Sequence, residues 1–392
     1  MAEAIEYLCE EGENTMYRVP TLPLAIDVET KPVLRLAARA HQAVGEVNGI
    51  AERIPKEAIL INTLVLQEAK DSSAIENIVT THDELYIAEL DLANATLTAE
   101  TKEVMRYAEA LKYGFEQVRN RGVLNNGLIK EIQQRLIGNS AGFRAVPGTA
   151  LKNQFGDVVY TPPQTRGDVE SLMTNLEKYI HEDDGIDGFI KLAVVHHQFE
   201  SIHPFYDENG RTGRILNVLL LVLYKDLNLP ILYLSRYITR HKEEYYHLLQ
   251  GVRDRGEWEA WILFMLRCIE STALETEEQI RKIIDLMQKY KEQMREILRR
   301  GYSHELLNNL FSYPYTKIEY VMAATNTSRP TAGGYLNTLA EAQLLQKVRK
   351  GRSNYYLNVP LIQLLAHSHE PLDDKEEIEH VVTVLEKHEH DM

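Results

Sequence analysis

The sequence predicts an all-α protein: a helical bundle interrupted by one short β-hairpin and followed by a small C-terminal unit of helices and two strands. Three observations carry this. Apolar residues recur at three- and four-residue spacing through most of the 392-residue chain. Strict apolar/polar alternation is nearly absent. Turn chemistry is concentrated between Gly142 and Pro163, and again around Gly351.

Taken in order, residues 58–69 and 78–93 read as amphipathic helices, and Asp71-Ser72-Ser73 between them is a polar triplet able to cap the second. Ser73 and Glu76 have capping-box spacing, which predicts the first turn of that second helix. Residues 101–119 and 128–136 continue the helical pattern. Val146-Pro147-Gly148 and Phe155-Gly156-Asp157 then frame a hairpin whose outgoing arm is Val158-Val159-Tyr160. Helices resume near Gly167 and run, with one interruption, to Glu270. Over residues 277–300, Ile280, Ile283, Met287, Tyr290, Met294 and Ile297 alternate steps of three and four, as a heptad seam requires. This predicts a long connecting helix, packed internally or paired with another chain. After Gly301 come a short helix at 317–323, a turn, a second helix at 328–339, and strands at 344–348 and 354–357 joined by a basic turn. That order resembles a winged helix. The expected divisions are 1–115, 116–272, 273–300, 301–360 and an acidic, His-bearing tail at 361–392.

Composition narrows the function classes. A hydrophobic content of 44% supports two or three packed cores and excludes disorder as the dominant state. A net charge of −15 excludes a protein that coats nucleic acid or anionic membrane, so any nucleic-acid contact is local. Cys9 and Cys268 are the only cysteines, which supports neither a disulfide framework nor a multi-thiolate zinc site. The acidic start is unlike a signal peptide, and the apolar run 215–224 is too short to span a bilayer and is broken by Asn217. The expectation is a soluble, cytoplasmic protein with no membrane partner.

The densest run of reactive side chains is Ile202-His203-Pro204-Phe205-Tyr206-Asp207-Glu208-Asn209-Gly210-Arg211-Thr212-Gly213-Arg214. Helical apolar faces precede and follow it, so it reads as a loop between two helices. Asn209 and Gly210 open the second helix, whose first N–H groups and dipole favour an anion. Arg211 and Arg214, three apart, offer guanidinium forks to phosphate oxygens. Asp207 is suited to Mg²⁺ bridging two phosphates, and His203 to deprotonating a hydroxyl near neutral pH. Phe205 reads as a core plug. Each piece alone is ordinary: Asp-Glu-Asn-Gly is a common turn, and paired arginines usually face solvent. No Walker A pattern or nucleophile elbow occurs, and His196-His197 lack further ligands at zinc spacing.

Taken together, the run resembles the Fic family signature: histidine, proline, phenylalanine, any residue, an acid, a small residue, asparagine, glycine, arginine, two residues, arginine. Glu208 departs from it, standing where the family usually has Gly or Ala; it either points to solvent or perturbs the anion hole. The resemblance spans residues 20–357 and implies a helical Fic-type bundle acting as a protein adenylyltransferase. AMP would pass from Mg-ATP to a Ser, Thr or Tyr hydroxyl of a protein target, the chain itself included. In this reading His203 is the base, Asp207 holds Mg²⁺, and residues 208–214 (Glu208, Asn209, Gly210, Arg211, Thr212, Gly213, Arg214) bind the nucleotide. Tyr245 and Tyr246 match a pair that lies near the base in similar proteins, and Val158, Val159 and Tyr160 match a flap that receives the target as an added strand. Relatives that phosphorylate carry lysine in place of Gly210, so adenylyl transfer is favoured. Ser72, Glu76 and Asn77 match the family's inhibitory motif, whose glutamate would pair with Arg214 and obstruct the γ-phosphate. A homodimer follows from the heptad helix and family habit. Two alternatives stay open: removal of AMP from a modified protein, and a DNA-binding regulator with a nucleotide-sensing body. For the latter, the cations are Arg329, Lys347, Arg349, Lys350 and Arg352.

Overall fold

The computed structural model describes residues 17–91, 97–152, 155–350 and 353–366. Cys9, Arg352 and residues 367–392 of the expected acidic tail lie outside them, while residues 361–366 of it are helical. Five helices come first: α1 (Lys31–Ala51), α2 (Glu57–Ile75), α3 (His82–Asp91), α4 (Ala99–Arg121) and α5 (Asn126–Ile137). Their ends follow local chemistry. Thr98 and Asn125 cap α4 and α5 by accepting from Thr101 N–H (3.1 Å) and Leu128 N–H (2.9 Å). Gly122 and Gly138, both left-handed, end them. The hairpin β1 (Leu151–Lys152) and β2 (Val158–Tyr160) pairs antiparallel with Leu151 opposite Tyr160.

Six helices complete the bundle: α6 (Arg166–His181), α7 (Gly188–Ile202), α8 (Asn209–Leu223), α9 (Leu234–Arg240), α10 (Lys242–Arg255) and α11 (Trp258–Leu298). Every residue of α7 from Phe189 to Ile202 is buried, and so is α8 from Arg211 to Leu221. A helix covered on all sides belongs at the centre. Here α7 packs on α8, α6, α11 and α1, while α8 packs on α4, α5, α9 and α2. The loop joining the two central helices is therefore held from both ends by the core.

One expectation is corrected here. The Asp71-Ser72-Ser73 triplet caps no new helix, because α2 runs through it to Ile75 and the next helix starts only at His82. Ser72 and Ser73 are buried, and an internal partner described below satisfies Ser72 where a turn would have used water. The expected divisions at 115/116 and 272/273 fall inside α4 and α11. Helix α11 is continuous for 41 residues, about 60 Å at 1.5 Å per residue. Its seam is filled internally: Ile280, Ile283, Met287, Tyr290 and Met294 are buried, Tyr290 donates to the Leu344 carbonyl at 3.0 Å, and its ring meets Phe311 edge-on. The seam thus gives no support to a homodimer.

The chain continues with α12 (His304–Ser312), β3 (Tyr315–Thr316), α13 (Ile318–Thr325), α14 (Arg329–Glu341), β4 (Gln346–Lys350), β5 (Ser353–Leu357) and α15 (Val359–Ala366), of which α12, α14 and α15 pack on α11 and cover that seam. The strands form an antiparallel sheet in the order β3-β5-β4, with Tyr315 and Gln346 both opposite Leu357. Helices α12 and α15 and strand β3 were not anticipated; β3 has two residues, too few for a period. Among the described residues, no helix is long and apolar enough to cross a membrane.

Candidate active site

The loop between α7 and α8 is built by its own residues. His203 ends α7 in the left-handed region (φ 49°) with its N–H on the Phe199 carbonyl at 2.9 Å, and Pro204 prevents the helix from continuing. Phe205 is fully buried against Phe143 and Phe199. The Asn209 side chain closes the loop on itself: Oδ1 accepts from Phe205 N–H at 2.8 Å and Nδ2 donates to the Phe205 carbonyl at 2.9 Å. Its amide is therefore committed to the loop, and only its backbone faces outward chemistry. Gly213 faces α7, where a Cβ would stand 2.5 Å from Glu200 Oε1; it allows close helix packing. Thr212 is likewise buried, so neither it nor Gly213 lines the anion site by a side chain.

Two buried arginines that sequence reasoning missed hold this loop. Arg144 donates from Nε to the His203 carbonyl (2.8 Å) and from Nη2 to the carbonyls of Ile202 (3.2 Å) and Pro163, while its N–H reaches the Pro204 carbonyl at 2.8 Å. Arg253 donates to Ser201 Oγ (3.2 Å) and the Glu200 carbonyl (3.4 Å). No spacing in the sequence marks either, because their partners, main-chain carbonyls and the Ser201 hydroxyl, lie far away in the chain. Burial, then Arg144 and Arg253, push the His203 imidazole down to about 4, against the Glu200 carbonyl and the Glu76 carboxylate. His203 is neutral at pH 7, in the state that accepts a proton.

Across the start of α8 lies the end of α2. Ser72 and Glu76, four apart, lie on one helix face and meet Arg214: Nε donates to Ser72 Oγ at 2.7 Å, and Nη2 to the Ser72 carbonyl at 3.0 Å and Glu76 Oε1 at 2.7 Å. Glu76 Oε2 accepts from Arg211 Nε at 3.0 Å. The carboxylate thus bridges both guanidinium groups, one more than expected. Asn77, left-handed at φ 64°, reverses the chain, with Ile78 N–H returning to the Ser73 carbonyl at 3.1 Å. Ser73 and Glu76 are therefore in a last turn, and the capping-box expectation is overturned. Burial works against the Arg214 charge, but Glu76, Tyr107 and Tyr245 hold its proton more firmly than usual. A Cβ on Gly210 would stand 2.8 Å from Glu76 Oε1 and 3.0 Å from Arg214 Nη1.

Around this centre the remaining candidates divide. Tyr245 is buried, its hydroxyl 2.9 Å from His196 Nε2 and its ring against Trp261; it supports the wall from behind. Tyr246 is 47% exposed, and burial of its hydroxyl, with the Glu200 and Glu76 charges, holds its proton more firmly than usual against the pull of Arg214. In the hairpin, Val158 and Val159 are exposed but Tyr160 is not: its hydroxyl donates to the Ser201 carbonyl at 2.7 Å and the Arg253 guanidinium lies 4.0 Å from its ring centre. Tyr160 is an anchor for the hairpin, contrary to the expectation that it meets a target. Asp207 is exposed, with Oδ1 accepting from Glu208 N–H at 2.9 Å. Among the described residues, no group of three or more His, Cys, Asp or Glu is arranged to hold a metal ion. A lone carboxylate fits Mg²⁺, which takes most of its ligands from water and phosphate.

At the C-terminal unit, Arg329 pairs with Glu319 at 2.6 Å and Lys347 donates to Asn337 Oδ1 at 2.8 Å. Lys350 ends β4, and Arg349 precedes it.

Three family models match the chain: Fic/DOC family N-terminal over residues 34–116, Fic/DOC family over 123–221, and protein adenylyltransferase SoFic-like, C-terminal domain, over 286–361. Proteins named protein adenylyltransferase Fic from Drosophila yakuba and Drosophila melanogaster are each 27% identical over 239 residues, which is 59% of this chain and 45% of theirs. The chain spans less than half the length of these curated relatives. Among solved structures, a Fic family protein from Desulfovibrio desulfuricans superposes with a TM-score of 0.55 at 21% identity, covering 86% of this chain and 97% of that one. Fic-1 from C. elegans superposes with a TM-score of 0.50 at 17% identity, covering 64% and 73%. At such identities the structural likeness is one of fold. The matched segments follow one another in order, and the middle one contains the whole run from His203 to Arg214: the chain belongs to the Fic family.

Proposed function

We propose that this chain moves AMP from ATP to a hydroxyl of a protein and that Glu76 restrains it. One observation carries the reading: a carboxylate from α2 already occupies the Arg211 and Arg214 guanidinium groups at the N-terminus of α8, the place where a polyphosphate would be held. A group that binds as an anion there competes with phosphate.

With Glu76 withdrawn, the chemistry follows from the side chains. His203 takes the proton of the target hydroxyl as its oxygen bonds to the α-phosphorus. The bond from that phosphorus to the bridging oxygen breaks, and pyrophosphate leaves against Arg211, Arg214 and the N–H groups of α8. Triphosphate charge beside His203 raises its proton affinity from the low value that burial imposes. Asp207 would hold Mg²⁺, which offsets phosphate charge when bound. Gly210 supports adenylyl over phosphoryl transfer, and the exposed edge at Val158 and Val159 would take the target segment.

The test is incubation of wild type, Glu76→Gly and His203→Ala with α-labelled ATP and Mg²⁺. Label on the protein should be strongest for Glu76→Gly, weaker for wild type and absent for His203→Ala. A Glu76→Gly protein no faster than wild type removes the restraint from the reading, and transfer by His203→Ala at the parent's rate removes the base.

A further inference from the structure

Glu208 is the N-cap of α8, and its backbone is left-handed (φ 67°, ψ 22°), a conformation that glycine adopts without strain and glutamate does not. The side chain turns inward. Only 8% of the residue is exposed, Oε1 accepts from Arg211 Nη2, and Oε2 is buried with no hydrogen-bond partner. A strained backbone with a desolvated carboxylate persists only where something holds it, and here that is Arg211.

The two arginines are therefore not equivalent. Arg214 meets one carboxylate, Glu76, together with Ser72. Arg211 meets three: Glu76 Oε2 at 3.0 Å, Glu103 Oε2 at 3.4 Å, and Glu208. Withdrawal of Glu76 leaves Arg214 with no carboxylate, held by Ser72 alone, but leaves Arg211 engaged by two. Glu103 is the weaker remaining partner, longer in contact and about a third exposed.

We propose that Glu208 is a second restraint, independent of Glu76, that keeps Arg211 turned from the nucleotide phosphates. The inference rests on the reading that ATP is the substrate. Glu208 acts through Arg211 as a positioning residue, and its removal should alter nucleotide affinity without altering the chemical step.

The experiment measures binding of a non-hydrolysable ATP analogue with Mg²⁺ by calorimetry, and KM and kcat for AMP transfer, in full-length Glu76→Gly, Glu76→Gly/Glu208→Gly and Glu76→Gly/Glu208→Gln. The glycine variant relieves the left-handed backbone, and the glutamine variant keeps the shape without the charge. Both doubles should bind about tenfold tighter than Glu76→Gly, the size of one charge-assisted contact. KM for ATP should fall with kcat nearly unchanged. Equal or weaker binding by the doubles overturns the second restraint and leaves the ATP reading standing. Absence of analogue binding in all three overturns both.

Discussion

The Arg214 guanidinium and the Glu76 carboxylate meet at 2.7 Å across 138 residues of sequence, joining the end of α2 to the second turn of α8. Arg214 is buried, and Glu76 is its only carboxylate partner among the described residues. Glu76→Gly should therefore cost stability, about 1–2 kcal/mol with Ser72 still in place, and lower the melting temperature by a few degrees. Saturating Mg-ATP should recover this loss, because it binds the unlocked site and not the unfolded chain. Thermal shift with and without ATP checks it; a nucleotide-induced rise no larger in Glu76→Gly than in wild type would contradict the lock.

Arg144 holds the carbonyls of Ile202, His203 and Pro163 without touching the anion site. Arg144→Ala should lower kcat for transfer by about ten- to a hundredfold through misplacement of His203, with affinity for an ATP analogue unchanged. Arg144→Lys, which keeps the charge but not the fork, should recover only part.

Glu68 is wholly buried, and burial pushes its carboxyl up to about 7 despite hydrogen bonds from Ser235 and Tyr107. The folded chain then binds this proton more tightly than the unfolded chain. The resulting stability is present at low pH and is lost as pH rises from about 4.5 to about 7. Glu68→Gln should remove that part of the slope, gaining on the order of 3 kcal/mol over wild type at pH 8 relative to pH 5. Urea unfolding at the two pH values tests this, and an identical slope in both proteins would count against it.

Ile283, fully buried in the seam of α11, should cost about 2–4 kcal/mol on truncation to Ala. Because the chain's own C-terminal unit covers this seam, sedimentation should show the same molar mass for variant and parent. A variant that dissociates to half the parent's mass would reassign the seam to an interface between chains.

The site's own loop was legible because its parts are contiguous: Asn209, Gly210, Arg211 and Arg214 share the first turns of one helix, so spacing alone puts them at its N-terminus. Ser72 and Glu76 were legible as a pair but not as a helix end, since serines beside a glutamate look the same whether water or a buried guanidinium satisfies them. Arg144 and Arg253 left no mark because main-chain carbonyls have no residue signature and the Ser201 hydroxyl lies 52 residues from Arg253. The α11 seam was readable as a seam and silent on its partner, because a three-four repeat is the same whether the covering helices belong to one chain or two. Glu208 was visible as a departure, yet only the turn of its side chain into the core distinguishes a partner of Arg211 from a solvated charge.

Gly210 ties two properties to one atom that is not there. The bare Cα that would admit phosphate oxygens also admits the Glu76 carboxylate, which a Cβ would crowd at 2.8 Å while pressing on Arg214 at 3.0 Å. A side chain at this position would displace the carboxylate and loosen its bridge between the arginines. A substitution at residue 210 thus acts on the restraint and on the place for an anion together, so how the site receives an anion and how the chain holds itself in check vary as one trait.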